Sequence, residues 1–210
     1  MTTLAVVNLT KHFRAGLVGC SATVQALRGV QLTLRPGEIV GVAGAPGSGK
    51  STLLRCAAGL LRPDSGQVLW LGGRTAPGNC VAYLSSGYVP GECARTPMSR
   101  ELGGVLCERL RLAERRRILL VDDLENVCAI ERRIVFAMLK RRAQRGAAVL
   151  FAANEELAGD SLATRVVTLE NGALVQRRKR SAVRIAVSSP DSRARASARS
   201  TYGRNLRSPQ

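Results

Sequence analysis

The chain has 210 residues, a formal charge of +17, 45% apolar residues and only 3% aromatics. That length fits one α/β domain with a tail, and the apolar fraction suffices for a core of Leu, Val and Ala. The longest apolar run, residues 147–153, is far too short for a bilayer-spanning helix, and the first residues read as lacking the basic and apolar regions of a secretory signal.

The six cysteines (Cys20, Cys56, Cys80, Cys93, Cys107 and Cys128) form no C-x-x-C pair, and one histidine leaves no zinc-finger spacing. Free thiols in a reducing cytosol are the expectation. Charge is uneven: ten of the 32 basic residues, but one of the 15 acidic ones, follow residue 176. Only four of the basic residues are lysine, a bias that GC-rich coding is enough to explain and that weakens a functional reading of the charge.

Residues 3–9 read as a strand. Lys11-His12-Phe13-Arg14 follows, then a Gly-containing loop to Ala22. Residues 30–34 alternate as a second strand, Pro36-Gly37 turns it, and residues 38–43 read as a buried strand. Next comes Gly44-Ala45-Pro46-Gly47-Ser48-Gly49-Lys50-Ser51-Thr52, which fits G-x-x-x-x-G-K-[ST], a phosphate-cradling loop. Its glycines let successive N–H groups point inward at an anion. Lys50 places a charge at the β- and γ-phosphates, and Ser51 offers a hydroxyl to Mg²⁺. The alternative is a Gly-rich surface turn. Against it, the preceding strand and a helix over residues 51–60, with Leu53, Leu54 and Ala57 inward, supply the context that such a loop needs. Arg62-Pro63-Asp64-Ser65-Gly66 is a turn, residues 67–71 a strand closed by Gly72-Gly73, and residues 81–84 a further short strand.

Residues 2–176, and most strongly 36–73, resemble the ATP-binding cassette (ABC) ATPases. The resemblance implies an α/β P-loop fold with a mixed sheet and flanking helices. It also implies that ATP is clamped between two cassettes and that its hydrolysis drives a membrane permease. Phe13 occupies the place of an adenine-stacking aromatic; a plain core Phe is the alternative. Residues 117–123 form an apolar strand ending in Asp122 and Asp123. By the resemblance Asp122 holds Mg²⁺, and Asp123 stands where the family has the water-polarising glutamate, about 1.5 Å short. The family signature aligns with Met98-Ser99-Arg100-Glu101-Leu102, where only the serine is kept. The family glutamine falls near Ser86, and the switch histidine falls at Asn154, followed by Glu155. Between Ser86 and the signature only residues 87–97 remain, so the helical subdomain that docks on permeases is expected to be nearly absent.

Residues 129–145 read as a basic amphipathic helix with Ile130, Ile134, Ala137 and Met138 inward and Arg132-Arg133 and Lys140-Arg141-Arg142 solvated. Residues 157–163 read as a short helix. Residues 165–170 and 173–176 read as a hairpin around Asn171-Gly172, a type I′ signal. Two domains are expected: a nucleotide-binding domain over residues 1–176, and a disordered Arg/Ser/Ala-rich tail over 177–210.

The leading functional expectation is an ATP-binding subunit of ABC type, cytoplasmic or peripheral at the membrane, with impaired hydrolysis. A heterodimer with a second ABC-type ATPase chain suits the degenerate signature, and a permease is a further expected partner. A catalytically silent regulatory or adaptor protein is the alternative. Contact of the tail with nucleic acid or anionic lipid, and a decayed product that barely folds, are weaker readings.

Overall fold

The structure is a computed structural model. It describes residues 2–15, 22–73, 80–85, 102–158 and 162–175. Ser86, the shortened segment 87–97, signature residues 98–101 and the basic tail 177–210 lie outside the described residues. The described residues all fall in one unit, Met1–Arg178.

In chain order the strands are β1 (Leu4–Ala15), β2 (Ala22–Leu34), β3 (Ile39–Ala43), β4 (Ser65–Trp70), β5 (Val81–Ser85), β6 (Ile118–Asp122), β7 (Ala148–Ala153), β8 (Arg165–Glu170) and β9 (Ala173–Val175). The helices are α1 (Lys50–Ala57), α2 (Leu102–Leu112), α3 (Ala129–Gln144) and α4 (Glu155–Ala158). β2-β1-β4 form an antiparallel sheet, and β5-β6-β7-β3-β8-β9 form a second, mixed sheet. In the mixed sheet β9 alone pairs antiparallel. Among the described residues no helix is long and apolar enough to cross a membrane.

Three apolar runs dictate the mixed sheet. β3, β6 and β7 are buried at every position. Such strands need cover on both faces, which parallel strands joined by helical crossovers obtain. The two-residue period then sorts their side chains. Val40, Val42, Ile118, Leu120 and Leu150 join a core with α1 and the small sheet. Ile39, Leu119, Val121, Val149 and Phe151 join a second core with α2 and α3. Leu53, Leu54 and Ala57 of α1 are fully buried, as their spacing predicts. Burying each such leucine stabilises by about 1.5–3 kcal/mol.

The expected inward face of the long helix is wrong at Ile130, Ile134 and Ala137 and holds only at Met138, which packs partly buried on the second core. Val135, Leu139 and Ala143 are buried, whereas Ile130 and Ile134 are 75% and 50% exposed. Residues 134–139 are apolar without interruption, so periodicity alone cannot choose a face. Packing against α2 and β7 chooses it, with Phe136 set against Phe151 at 6.2 Å between ring centroids. Arg142 is likewise not merely solvated. Its guanidinium donates to the carbonyls of Ala113 and Arg116 at 2.9 Å each, and to that of Glu114, which closes the turn after α2.

Other boundaries shift as well. β1 runs to Ala15 and β2 starts at Ala22, because Lys11–Ala15 pair across a hairpin with Ala22–Leu27. α1 stops at Ala57, where Leu60 N turns back to Arg55 O at 3.0 Å. The short helix begins at Glu155, earlier than expected, because Asn154 Oδ1 accepts from Leu157 N at 2.9 Å. The β8–β9 turn is of the expected kind: Asn171 and Gly172 have φ of 47° and 80°. A Cβ on Gly172 would lie 2.7 Å from Ala26 O, so glycine is required there for space as well as for φ.

Asp64 fastens the small sheet. Its carboxylate accepts from Lys11 Nζ at 2.8 Å, His12 N at 2.6 Å and, when protonated there, His12 Nδ1 at 3.2 Å. The hydrogen bond from Lys11 is the main cause that lowers its pKa to about 2.

Two outcomes follow from this packing. Leu139→Ala should cost about 2–5 kcal/mol in chemical denaturation. Ile130→Ala should cost at most about 0.5 kcal/mol; equal losses would contradict the face assigned to α3. The Asp64 contribution is present above the ordinary carboxylate pKa, 3.8, and is lost as pH falls toward about 2. The stability gap between wild type and Asp64→Asn should therefore be constant from pH 7 to 5 and shrink below pH 4. A gap that widens on acidification would refute the clasp.

Candidate functional site

The parallel strands end their carboxyl termini along one edge, where ligands bind in open α/β sheets. β3 leads into the loop of residues 44–49, and Lys50 is the first residue of α1. Gly49 caps α1 with φ 105°, and a Cβ on it would lie 2.4 Å from Ala26 O. Only glycine fits a left-handed turn pressed against β2 in this way. The β8–β9 turn braces the same loop: Gly172 N donates to Ser48 O at 3.1 Å, and Gly172 O accepts from Arg28 N at 2.8 Å.

Lys50 is 7% exposed. Its ammonium donates to Gly44 O at 2.7 Å and Ala45 O at 3.0 Å. Among the described residues no carboxylate lies within salt-bridge distance of it. A buried cation compensated by two carbonyls favours an incoming anion. Ser48 Oγ, also buried, has no hydrogen-bond partner. The loop thus fits a polyphosphate on two independent counts, a buried ammonium without a carboxylate counter-ion and an orphaned hydroxyl.

Asp122, at the end of β6, is 1% exposed. Ser51 Oγ donates to its Oδ1 at 3.2 Å, Asp123 N to the same oxygen at 3.0 Å, and the Tyr83 hydroxyl to its Oδ2 at 2.8 Å. Burial, reinforced by the neighbouring Asp123 charge, raises the Asp122 pKa despite these donors. Among the described residues no group of three His, Cys, Asp or Glu side chains could hold a metal. Magnesium is nonetheless commonly held by one or two carboxylates with substrate phosphates, and the hard oxygens of Ser51 and Asp122 suit it.

Asp123 sits in the left-handed region, φ 58°, and its Oδ2 accepts from Ser85 Oγ at 2.9 Å. Both acids therefore meet hydroxyls from β5, two residues apart on one face of that strand.

An open cleft of about 670 Å³ joins these groups. Phe13 and Val24, paired across the β1–β2 hairpin, line one side; Pro46, Lys50, Asp122 and Asp123 line others. Phe13 is 40% exposed, so it is no core residue, and it lies within β1. Gly47, Gly49, Ser51 and Thr52 also border the cleft, whereas Asn154 does not. Arg28, Asn171, Gly172 and the β5 hydroxyls of Tyr83 and Ser85 belong to the neighbourhood and were missed in sequence. The strong Asn-Gly turn was the one signal available, and it carried no hint of contact with residue 48.

Residues 27–99 match the family model described as ABC transporter. The methionine import ATP-binding protein MetN of Mesorhizobium japonicum is 59% identical over 46 residues, 22% of this chain and 13% of that protein. The phosphonates import ATP-binding protein PhnC of Wolinella succinogenes is 42% identical over 74 residues, 35% of this chain and 24% of that protein. The matched part thus spans less than a quarter of either relative. Among solved structures, a dimeric ATP-binding cassette in a post-hydrolysis state with ADP and Pi aligns with TM-score 0.62 at 19% identity, over 83% of this chain and 97% of that one. A nucleotide-free cassette from an ABC transporter aligns with TM-score 0.63 at 16% identity, over 84% and 90%. At those identities the likeness is one of fold. Residues 27–99 are thus similar in sequence to the ABC transporter family, and the described residues share the fold of ATP-binding cassettes.

Proposed function

We propose that the chain is the ATP-binding subunit of an ABC-type assembly, with weak hydrolysis coupled to a partner. The observation that carries this reading is the buried Lys50 ammonium, folded back on its own loop beside the unpartnered Ser48 hydroxyl. Residues 44–52 cradle the phosphates through main-chain N–H groups, and Lys50 exchanges the Gly44 and Ala45 carbonyls for phosphate oxygens. Phe13 offers its half-exposed ring to the base. Ser51 and Asp122 would hold Mg²⁺, which when bound would supply positive charge against the phosphates.

Asp123 is the candidate water-polarising group, but its side chain is one methylene short. The Ser85 hydroxyl donates to its carboxylate and holds it against β5. Asn154 can hydrogen-bond but not carry a proton, and its Oδ1 already caps α4. These features support slow turnover, and they equally favour the second reading, a silent nucleotide-binding adaptor.

A heterodimer with an intact ABC-type chain fits best, since Arg100 and Glu101 replace small residues at the signature position. The curated relatives carry import in their names, which supports a permease partner and a place at the cytoplasmic membrane face. The two-domain division at residue 176 belongs to the same proposal, with the basic tail as a separate segment.

Saturating Mg-ATP should raise the melting temperature of the full chain; at 100 times Kd the gain is about 2.7 kcal/mol. Lys50→Ala should abolish that gain. Fast turnover by the chain alone, lost on Lys50→Ala, would contradict impaired hydrolysis, and binding without turnover even with partners would select the silent adaptor. Phe13→Ala should weaken ATP binding about tenfold in calorimetry, in line with aromatic stacking on a base. Its affinity for inorganic tripolyphosphate should not change; a matching loss for both ligands would remove Phe13 from the base site.

A further inference from the structure

We propose that Tyr83, oriented by Arg55, is the positioning residue that holds Asp122 in its metal-binding rotamer. The inference rests on the nucleotide reading above and adds a residue to it. The Tyr83 hydroxyl donates to Asp122 Oδ2 at 2.8 Å and accepts from Arg55 Nε at 3.3 Å. Asp122 Oδ1 is thereby left on the side of Ser51 Oγ, 3.2 Å away, and of Asp123 N. A carboxylate at a strand end has a broad, two-fold terminal torsion. Donors on both oxygens remove that freedom before any ligand arrives.

Three elements meet at this hydroxyl. β5 carries Tyr83, α1 carries Arg55 four residues beyond Ser51, and β6 carries Asp122. Residues four apart share a helix face, so α1 presents Ser51 and Arg55 together toward β6. Ser51 takes one carboxylate oxygen directly; Arg55 reaches the other through the phenol. The phenol is half-buried and the carboxyl fully so, which makes each hydrogen bond stronger than its solvent-exposed counterpart. Such outer partners of a metal ligand orient it, and removing them costs about 10–100-fold in metal affinity.

The test is calorimetry of ATP on the full chain, once with saturating Mg²⁺ and once in EDTA. Tyr83→Phe should weaken binding about tenfold with Mg²⁺ and by no more than about twofold in EDTA. Arg55→Met should shift the Mg²⁺ value in the same direction, about threefold, and it decides the matter if Tyr83→Phe does not fold. Equal losses with and without metal would overturn the proposal, because the phenol would then serve packing alone; no loss in either would overturn it too. A wild type that binds ATP equally well in both would refute the metal assignment to Asp122 along with the positioning role. A folded wild type that binds no ATP at all would instead refute the nucleotide reading on which both depend.

Discussion

The structure depends on β3 being buried on both faces. With β7 on one side and β8 on the other, Ile39–Ala43 can neither slide nor tilt without exposing apolar side chains to water. The loop that leaves Ala43 therefore starts from a rigid point. Its far end is equally fixed, since α1 sits in the first core through Leu53, Leu54 and Ala57. A six-residue loop held at both ends, with a β-hairpin turn against Ser48, keeps its main-chain amides in place for an anion. Preorganisation of that kind lowers the ordering cost of binding.

The same edge gathers buried charges of both signs without pairing them to each other. Lys50 leans on carbonyls, and Asp122 leans on hydroxyls and an amide. Direct neutralisation of one by the other would leave nothing for a phosphate or a cation to satisfy. Keeping them apart is costly in a dry interior, and the surrounding dipoles offset part of that cost.

The carboxyl end of β6 carries an uncommon backbone conformation. Asp123 turns into the left-handed region, an uncommon conformation for a non-glycine residue, and Ser85 holds its carboxylate. β5 thus supplies hydroxyls to both acids, from residues 83 and 85. Their spacing places them on one face of a strand whose register sets Ser85 opposite Asp122.

Much of the fold was legible in the residues themselves. The apolar runs at 39–43, 118–121 and 148–153, the G-x-x-x-x-G-K-[ST] spacing and the Asn171-Gly172 turn each follow from short-range rules: continuous burial, backbone access for an anion, and positive φ. Proximity across the chain was not legible. Residues 134–139 of α3 are apolar on every side, so only packing against α2 and β7 decides that Val135 and Leu139 face inward and Ile134 does not. Likewise, nothing near Tyr83 or Gly172 in sequence names Asp122 or Ser48 as a partner. Parallel pairing of β5 with β6, and the closing of β8–β9 over the phosphate loop, bring them together over separations of 39 and 124 residues. Sequence determines local conformation because the interactions concerned lie within a few residues. Tertiary structure alone decides which hydroxyl meets which carboxylate, because that contact exists only once both cores have formed.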